Sequence, residues 1–177
     1  DRVTPEDRCP EIPNGKVGVF VGSHTAMTEA ETTAIDSFCA SHDAVVFCDH
    51  TSGYRGKYRV LYPLVAGQRH IDVDAYRPDL WIHIGEISGD YYTTRMSGKQ
   101  VWRVNPDGVI RDTFRKLRYV FEMPERVFFE WYAQVDAAPK DDYLQSCKSC
   151  LQDVRDMIPD LPLSNPWLAS QMAHRIP

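Results

Sequence analysis

The chain has 177 residues, 43% of them hydrophobic, and a formal net charge of -5. That is one domain of ordinary size with enough apolar material for a core, and its acidic balance gives no electrostatic footprint for nucleic acid. No apolar run approaches the ~20 residues that span a bilayer and no secretory leader opens the chain, so a cytoplasmic protein with no membrane contact is expected.

Residues 1–14 hold three prolines and alternating charges, and read as an interdomain linker laid over a surface. Val17 to Gly22 is uncharged, rich in valine and apolar on both faces, which predicts a strand buried in a parallel sheet. Gly22 and Ser23 allow a turn, and Thr28 with Glu31 has the capping-box spacing. Ile35, Phe38, Cys39 and His42 recur at helical spacing, so a helix is expected from about Thr28 to Ser41. Strand, glycine turn and capped helix make the first half of a βαβ unit.

Asp43–Asp49 reads as a second buried strand, and His50–Lys57 as a polar loop. Tyr58, Leu61, Tyr62 and Val65 share one helical face, which predicts a short helix across Pro63. Further strands are expected at Leu80–Ile84, Gln100–Val104 and Arg118–Glu122, with a weak helix at Asp90–Met96 and a stronger one at Pro124–Gln134. Strands alternating with helices imply an α/β, Rossmann-like, mostly parallel sheet with helices on both faces, over residues 15–135. Ligands of such sheets sit at the carboxyl ends of the strands.

After a polar stretch at 136–142, an apolar stripe predicts an amphipathic helix at Asp141–Ile158, capped by Asp141 or Asp142. Residues 136–162 are therefore taken as linker and helix. A last capped helix starts near Ser164, and residues 163–177 read as the opening of a further, truncated domain.

Five cysteines form no disulfide framework, and Cys147-x-x-Cys150 lies within a helical pattern rather than at a redox turn. No metal-ligand spacing is evident. Gly22-Ser23-His24 lacks the glycines of a dinucleotide fingerprint. Asp49, Ser52, Gly53 and Arg55 form a permissive loop at a strand's carboxyl end, which is either a solvated loop or one that faces a ligand or a neighbouring domain. The ligand or domain-contact candidates are accordingly Gly22, Ser23, Asp49, Ser52, Arg55 and Gly85. His83, inside an apolar strand, reads as a satisfied core or sheet-face histidine rather than a metal ligand. Arg111, Arg115, Lys116 and Arg118 read as a solvated basic face, with an anion site as the alternative. No nucleophile stands beside a recognisable base, so no catalytic residue is assigned.

Three segments carry a family likeness. Asp49-His50-Thr51-Ser52-Gly53-Tyr54-Arg55, Pro78-Asp79-Leu80-Trp81-Ile82-His83-Ile84-Gly85 and Val101–Gly108 with Asp112 resemble successive strand-and-loop motifs in the central domain of thiamine-diphosphate-dependent enzymes. The likeness is strongest to the menaquinone-pathway branch, the 2-succinyl-5-enolpyruvyl-6-hydroxy-3-cyclohexene-1-carboxylate synthases. Residues 1–13 resemble the linker from the pyrimidine-binding domain, and Leu161–Ala173 the first helix of the diphosphate-binding domain. The resemblance implies a structural or regulatory central domain, flanking thiamine-binding domains in the same chain, and a homo-oligomeric parent. It also implies that thiamine diphosphate and magnesium belong to the parent enzyme and that the fragment carries no cofactor. Gly89-Asp90 is followed by Tyr91, so the family's magnesium motif is absent there. The alternatives are a free-standing nucleotide- or flavin-binding module and the central domain of another thiamine-dependent decarboxylase or carboligase.

Overall fold

The structure, a computed structural model, describes residues 1–87, 92–133 and 140–172. Gly89-Asp90-Tyr91, Gln134, the linker at 136–139 and the helix end at Pro177 lie outside these. Among the described residues, seven parallel strands form one sheet in the order β1-β7-β6-β5-β2-β3-β4. The strands are β1 Arg2–Val3, β2 Val17–Val21, β3 Ala44–Cys48, β4 Arg59–Leu61, β5 Leu80–Ile84, β6 Gln100–Val104 and β7 Leu117–Phe121. The helices are α1 Glu29–His42, α2 Pro63–Ala66, α3 Glu125–Tyr132, α4 Asp142–Asp156 and α5 Asn165–Met172. With β1 set aside and β2 counted first, the strands run 3-2-1-4-5-6, the order of the Rossmann sheet. The α/β, Rossmann-like reading therefore stands. The direction of winding reverses between β2 and β5, which makes that pair the topological switch point.

The central strands bury both faces, as runs that are apolar except for His83 require in a covered parallel sheet. Side chains alternate across the sheet, so cross-strand register sorts the core. One face carries Phe20, Phe47 and Trp81, with Phe47 meeting Tyr62 edge-on and Tyr143 of α4 at 6.3 Å. The other carries Trp102 and Phe121, which pack on α3 through Tyr132 and Phe128. Phe38 of α1 completes that layer against Phe129.

Several expectations need correction. Tyr58–Ala66 is a strand followed by a four-residue helix, not one helix across Pro63. Tyr58, Val60 and Tyr62 are all buried at a period of two, and Pro63, which lacks an amide hydrogen, starts α2 instead of interrupting it. The weak helix is a single 3-10 turn at Thr93–Met96 within the described residues. The lead-in is more than a connector, because Arg2–Val3 pairs in parallel with Val120–Phe121. The amphipathic helix α4 turns its apolar stripe to the sheet, and Tyr143, Leu144, Cys147 and Leu151 join the main core. Asp141 occupies its cap position without capping it, and the Tyr143 amide donates instead to the Asp43 carboxylate at 3.1 Å. All five cysteines are free, and burial pushes the thiols of Cys48 and Cys147 up to about 12.

Arg115 has φ of 55°, in the left-handed region that a side chain with a Cβ disfavours. Its turn is fixed by the Asp112 carboxylate, which accepts from the amides of Lys116 and Leu117. Arg115→Gly is expected to raise stability by about 0.5–1 kcal/mol, since relief of the left-handed strain outweighs the extra freedom of the unfolded chain. Thermal unfolding would read this as a rise of a few degrees.

Candidate functional site

The carboxyl ends of β2 and β5 carry three of the six candidate residues. Gly22, Ser23 and Gly85 meet there, and main chain closes the crevice between the two strands. Ser23 and Glu86 form an antiparallel bridge: the Ser23 amide donates to the Glu86 carbonyl at 2.6 Å and the Glu86 amide returns to Ser23 at 2.9 Å. Gly22 allows this approach, because a Cβ there would stand 2.0 Å from the Glu86 carbonyl oxygen. Gly85 turns the chain into the bridge at φ of 72°.

Beyond the bridge the chain crosses toward the loop after β3. The amides of His24 and Met27 donate to Thr51 and Gly53 carbonyls, each at 3.2 Å. In that loop Ser52 accepts from the Asp49 amide at 2.9 Å and donates to the Val21 carbonyl. The Asp49 carboxylate accepts from both the amide and the hydroxyl of Thr51. Asp49 and Ser52 are therefore buried and engaged in holding the loop, whereas Arg55 is exposed. Main-chain and Ser52 hydrogen bonds thus link the segments that carry Gly22, Ser23, Asp49, Ser52 and Gly85 at one edge of the sheet, while Arg55 is exposed.

A Rossmann sheet offers a diphosphate the amino end of its first helix. Here the capping box already fills that end: Thr28 accepts from the Glu31 amide, and the Glu31 carboxylate accepts from the Thr28 amide and hydroxyl. Those bonds to Thr28 hold the Glu31 carboxyl below the usual carboxylate range. An incoming phosphate would meet Glu29 and Glu31 at the position where it needs bare amides. A diphosphate at this helix end would thus compete with the capping box, and no group of three metal-binding side chains occurs among the described residues.

Two features of this edge escape sequence reasoning. His24 bridges the crossing loop to α3: Nδ1 lies 2.7 Å from the Thr25 carbonyl oxygen and Nε2 lies 3.1 Å from the Glu125 carboxylate. Both neighbours are acceptors, so only the doubly protonated imidazole satisfies them. The bond to Glu125 leads in lifting the His24 pKa to about 9, against an opposing desolvation by burial. The second feature is a polar pair inside the sheet. His83 and Arg103 are buried in cross-strand register, and both His83 Nε2 and Arg103 Nη2 lack a hydrogen-bond partner among the described residues. His83 is thus a core residue but not a satisfied one; burial, then the Arg103 charge, lowers its pKa to about 4 and keeps it neutral. A visible signal existed for Arg103, a charge within the apolar run Val101–Val104. None existed for its partners.

No family model matches the chain, and no curated protein matches it. Among the described residues, no helix is long and apolar enough to cross a membrane.

Two outcomes test this geometry. Gly22→Ala is expected to destabilise by about 3 kcal/mol, because the backbone it would strike is itself fixed in the bridge; a denaturation midpoint equal to the parent's would refute the close approach. A histidine whose pKa rises on folding contributes fully below its unfolded value of 6.5 and loses that contribution as pH climbs through about 9. Stability should therefore fall over this window by roughly 1 kcal/mol, a figure held down by solvent screening. In His24→Gln, urea titrations across the same window should lose that slope.

Proposed function

We propose that this chain acts as a non-catalytic central domain of a thiamine-diphosphate-dependent enzyme of the menaquinone-synthase branch. The observation that carries this reading is the closed switch point: a Rossmann-ordered sheet whose ligand crevice is bridged by Ser23 and Glu86. Such a unit holds neighbouring domains in place and leaves cofactor binding to them. The three segments of family likeness gather at this same edge, since they comprise the loop after β3, strand β5 with Gly85, and β6 with its following loop. Helix α5 buries none of its described side chains, and Leu163 and Leu168 are exposed, as expected of a stretch that belongs with another domain.

In this reading the flanking thiamine-binding domains of the same polypeptide are the partners, the parent is a cytoplasmic homo-oligomer, and magnesium holds the cofactor diphosphate outside this domain. The thiazolium supplies the electron sink on which 2-oxoglutarate is decarboxylated and a succinyl unit is joined to isochorismate. This chain's own residues take no step of that chemistry.

Calorimetric titration of thiamine diphosphate with magnesium into the chain alone should give no binding heat. The product of the uncut reading frame should release carbon dioxide from 2-oxoglutarate when both cofactors and isochorismate are supplied. Cofactor binding by the isolated chain would overturn the reading, as would an inactive full-length product. Tight binding of FAD or ADP to the isolated chain would favour a free-standing nucleotide-binding module.

A further inference from the structure

The segment after β5 and the loop after β6 meet over one buried guanidinium. Arg103 is 1% exposed, and its Nε donates to the Val109 carbonyl at 3.2 Å. Its Nη2 makes no hydrogen bond to the described residues, although the carboxylates of Glu86 and Asp107 each lie 3.6 Å away. That separation retains Coulombic attraction but is too long for a hydrogen bond. The other Glu86 oxygen is gripped by Arg111, whose second terminal nitrogen is 3.9 Å from Asp107. Arg103 lies at the bottom of this arrangement, while the side chains of Glu86 and Arg111 are 54% and 46% exposed. A solvent-facing carboxylate of the chain's own thus sits between one buried and one exposed arginine.

An arginine fork matches the oxygens of a carboxylate or phosphate, and a buried charged N–H without an acceptor is costly. With Glu86 swung into solvent, two guanidiniums would face the single carboxylate of Asp107, which leaves one net positive charge. His83 adds a second unmet polar atom on the same face of the sheet, in register with Arg103. We propose that Arg103 and Arg111 form a site for a small oxyanion, either a carboxylate or a phosphate, and that Glu86 is a built-in placeholder which the ligand displaces. Arg111 thereby leaves the solvated basic face and takes a role, while Arg115 and Arg118 stay outside it. The assignment does not depend on the parent-enzyme reading, since it uses only side chains of this sheet edge.

Glu86→Gln removes the competing charge while leaving the main-chain bridge to Ser23 available. Inorganic phosphate and, separately, acetate would be titrated calorimetrically into the whole chain at constant ionic strength set with chloride. Glu86→Gln should bind at least one of them about tenfold or more tightly than the unaltered chain, and the anion that responds identifies the ligand chemistry. Adding Arg111→Gln to that variant should abolish the gain, with circular dichroism confirming that both variants fold. Should the glutamine variant not fold, Glu86→Ser replaces it in the same comparison. Binding no tighter than that of the unaltered chain, or a gain that survives Arg111→Gln, would overturn the assignment.

Discussion

The Ser23–Glu86 bridge is the constraint on which the carboxyl edge of this sheet depends. Two strands that diverge at a switch point ordinarily leave a crevice, and here their exits are tied by a reciprocal pair of main-chain hydrogen bonds. The tie requires a missing Cβ at residue 22 and a left-handed turn at residue 85. Once it forms, the chain from Ser23 to Met27 must run across the strand ends before α1 begins at Glu29. The amino end of α1 is therefore reached from the side and closed by its own capping box. The same residue that closes the crevice with its backbone, Glu86, reaches Arg103 and Arg111 with its side chain. Sheet closure and local electrostatics are thus joined at one position.

Away from that edge, stability comes from two aromatic layers on opposite faces. Phe47, Tyr62 and Tyr143 draw α4 onto the β3–β4 side, and the Tyr143 hydroxyl reaches the Tyr76 carbonyl. Burying a side chain of this size contributes roughly 2 kcal/mol, so α4 has a clear reason to dock even though its own N-cap is unused. Against these layers stand the costs of His83 and Arg103, polar groups carried on strands that are otherwise apolar. A charge in such a place survives because Glu86 and Asp107 approach it closely enough to offset part of its desolvation.

Much of this molecule is legible in the order of its residues, because the signals concerned are local. Apolar runs, unbroken in β2 and β3 and interrupted only by His83 in β5 and by Gln100 and Arg103 in β6, mark these strands nearly to the residue, and the Thr28–Glu31 spacing announces the cap that the structure contains. Alternation of such runs with helical stripes is enough for the parallel α/β class, since parallel strands need long crossovers and a helix is the usual one, although β3–β4 and β6–β7 are joined here without a helix. The two strands missed, β1 and β4, are two and three residues long. Pieces that short carry no period of their own and become strands only when a neighbour supplies hydrogen bonds.

What the sequence alone settled, then, was the class of fold, the central strands and the start of the first helix, each fixed by interactions reaching a few residues along the chain. Tertiary structure decided the rest: that the crevice is closed, that His24 holds a charge against Glu125, and that Arg103 sits buried between Glu86 and Asp107. Of these contacts, Ser23 with Glu86 and His24 with Glu125 join residues far apart in the chain, and the burial of Arg103 depends on β5 and β6 lying side by side. The physical reason is that hydrogen-bond and charge partners are chosen by the geometry of the finished sheet, and no local spacing encodes that geometry.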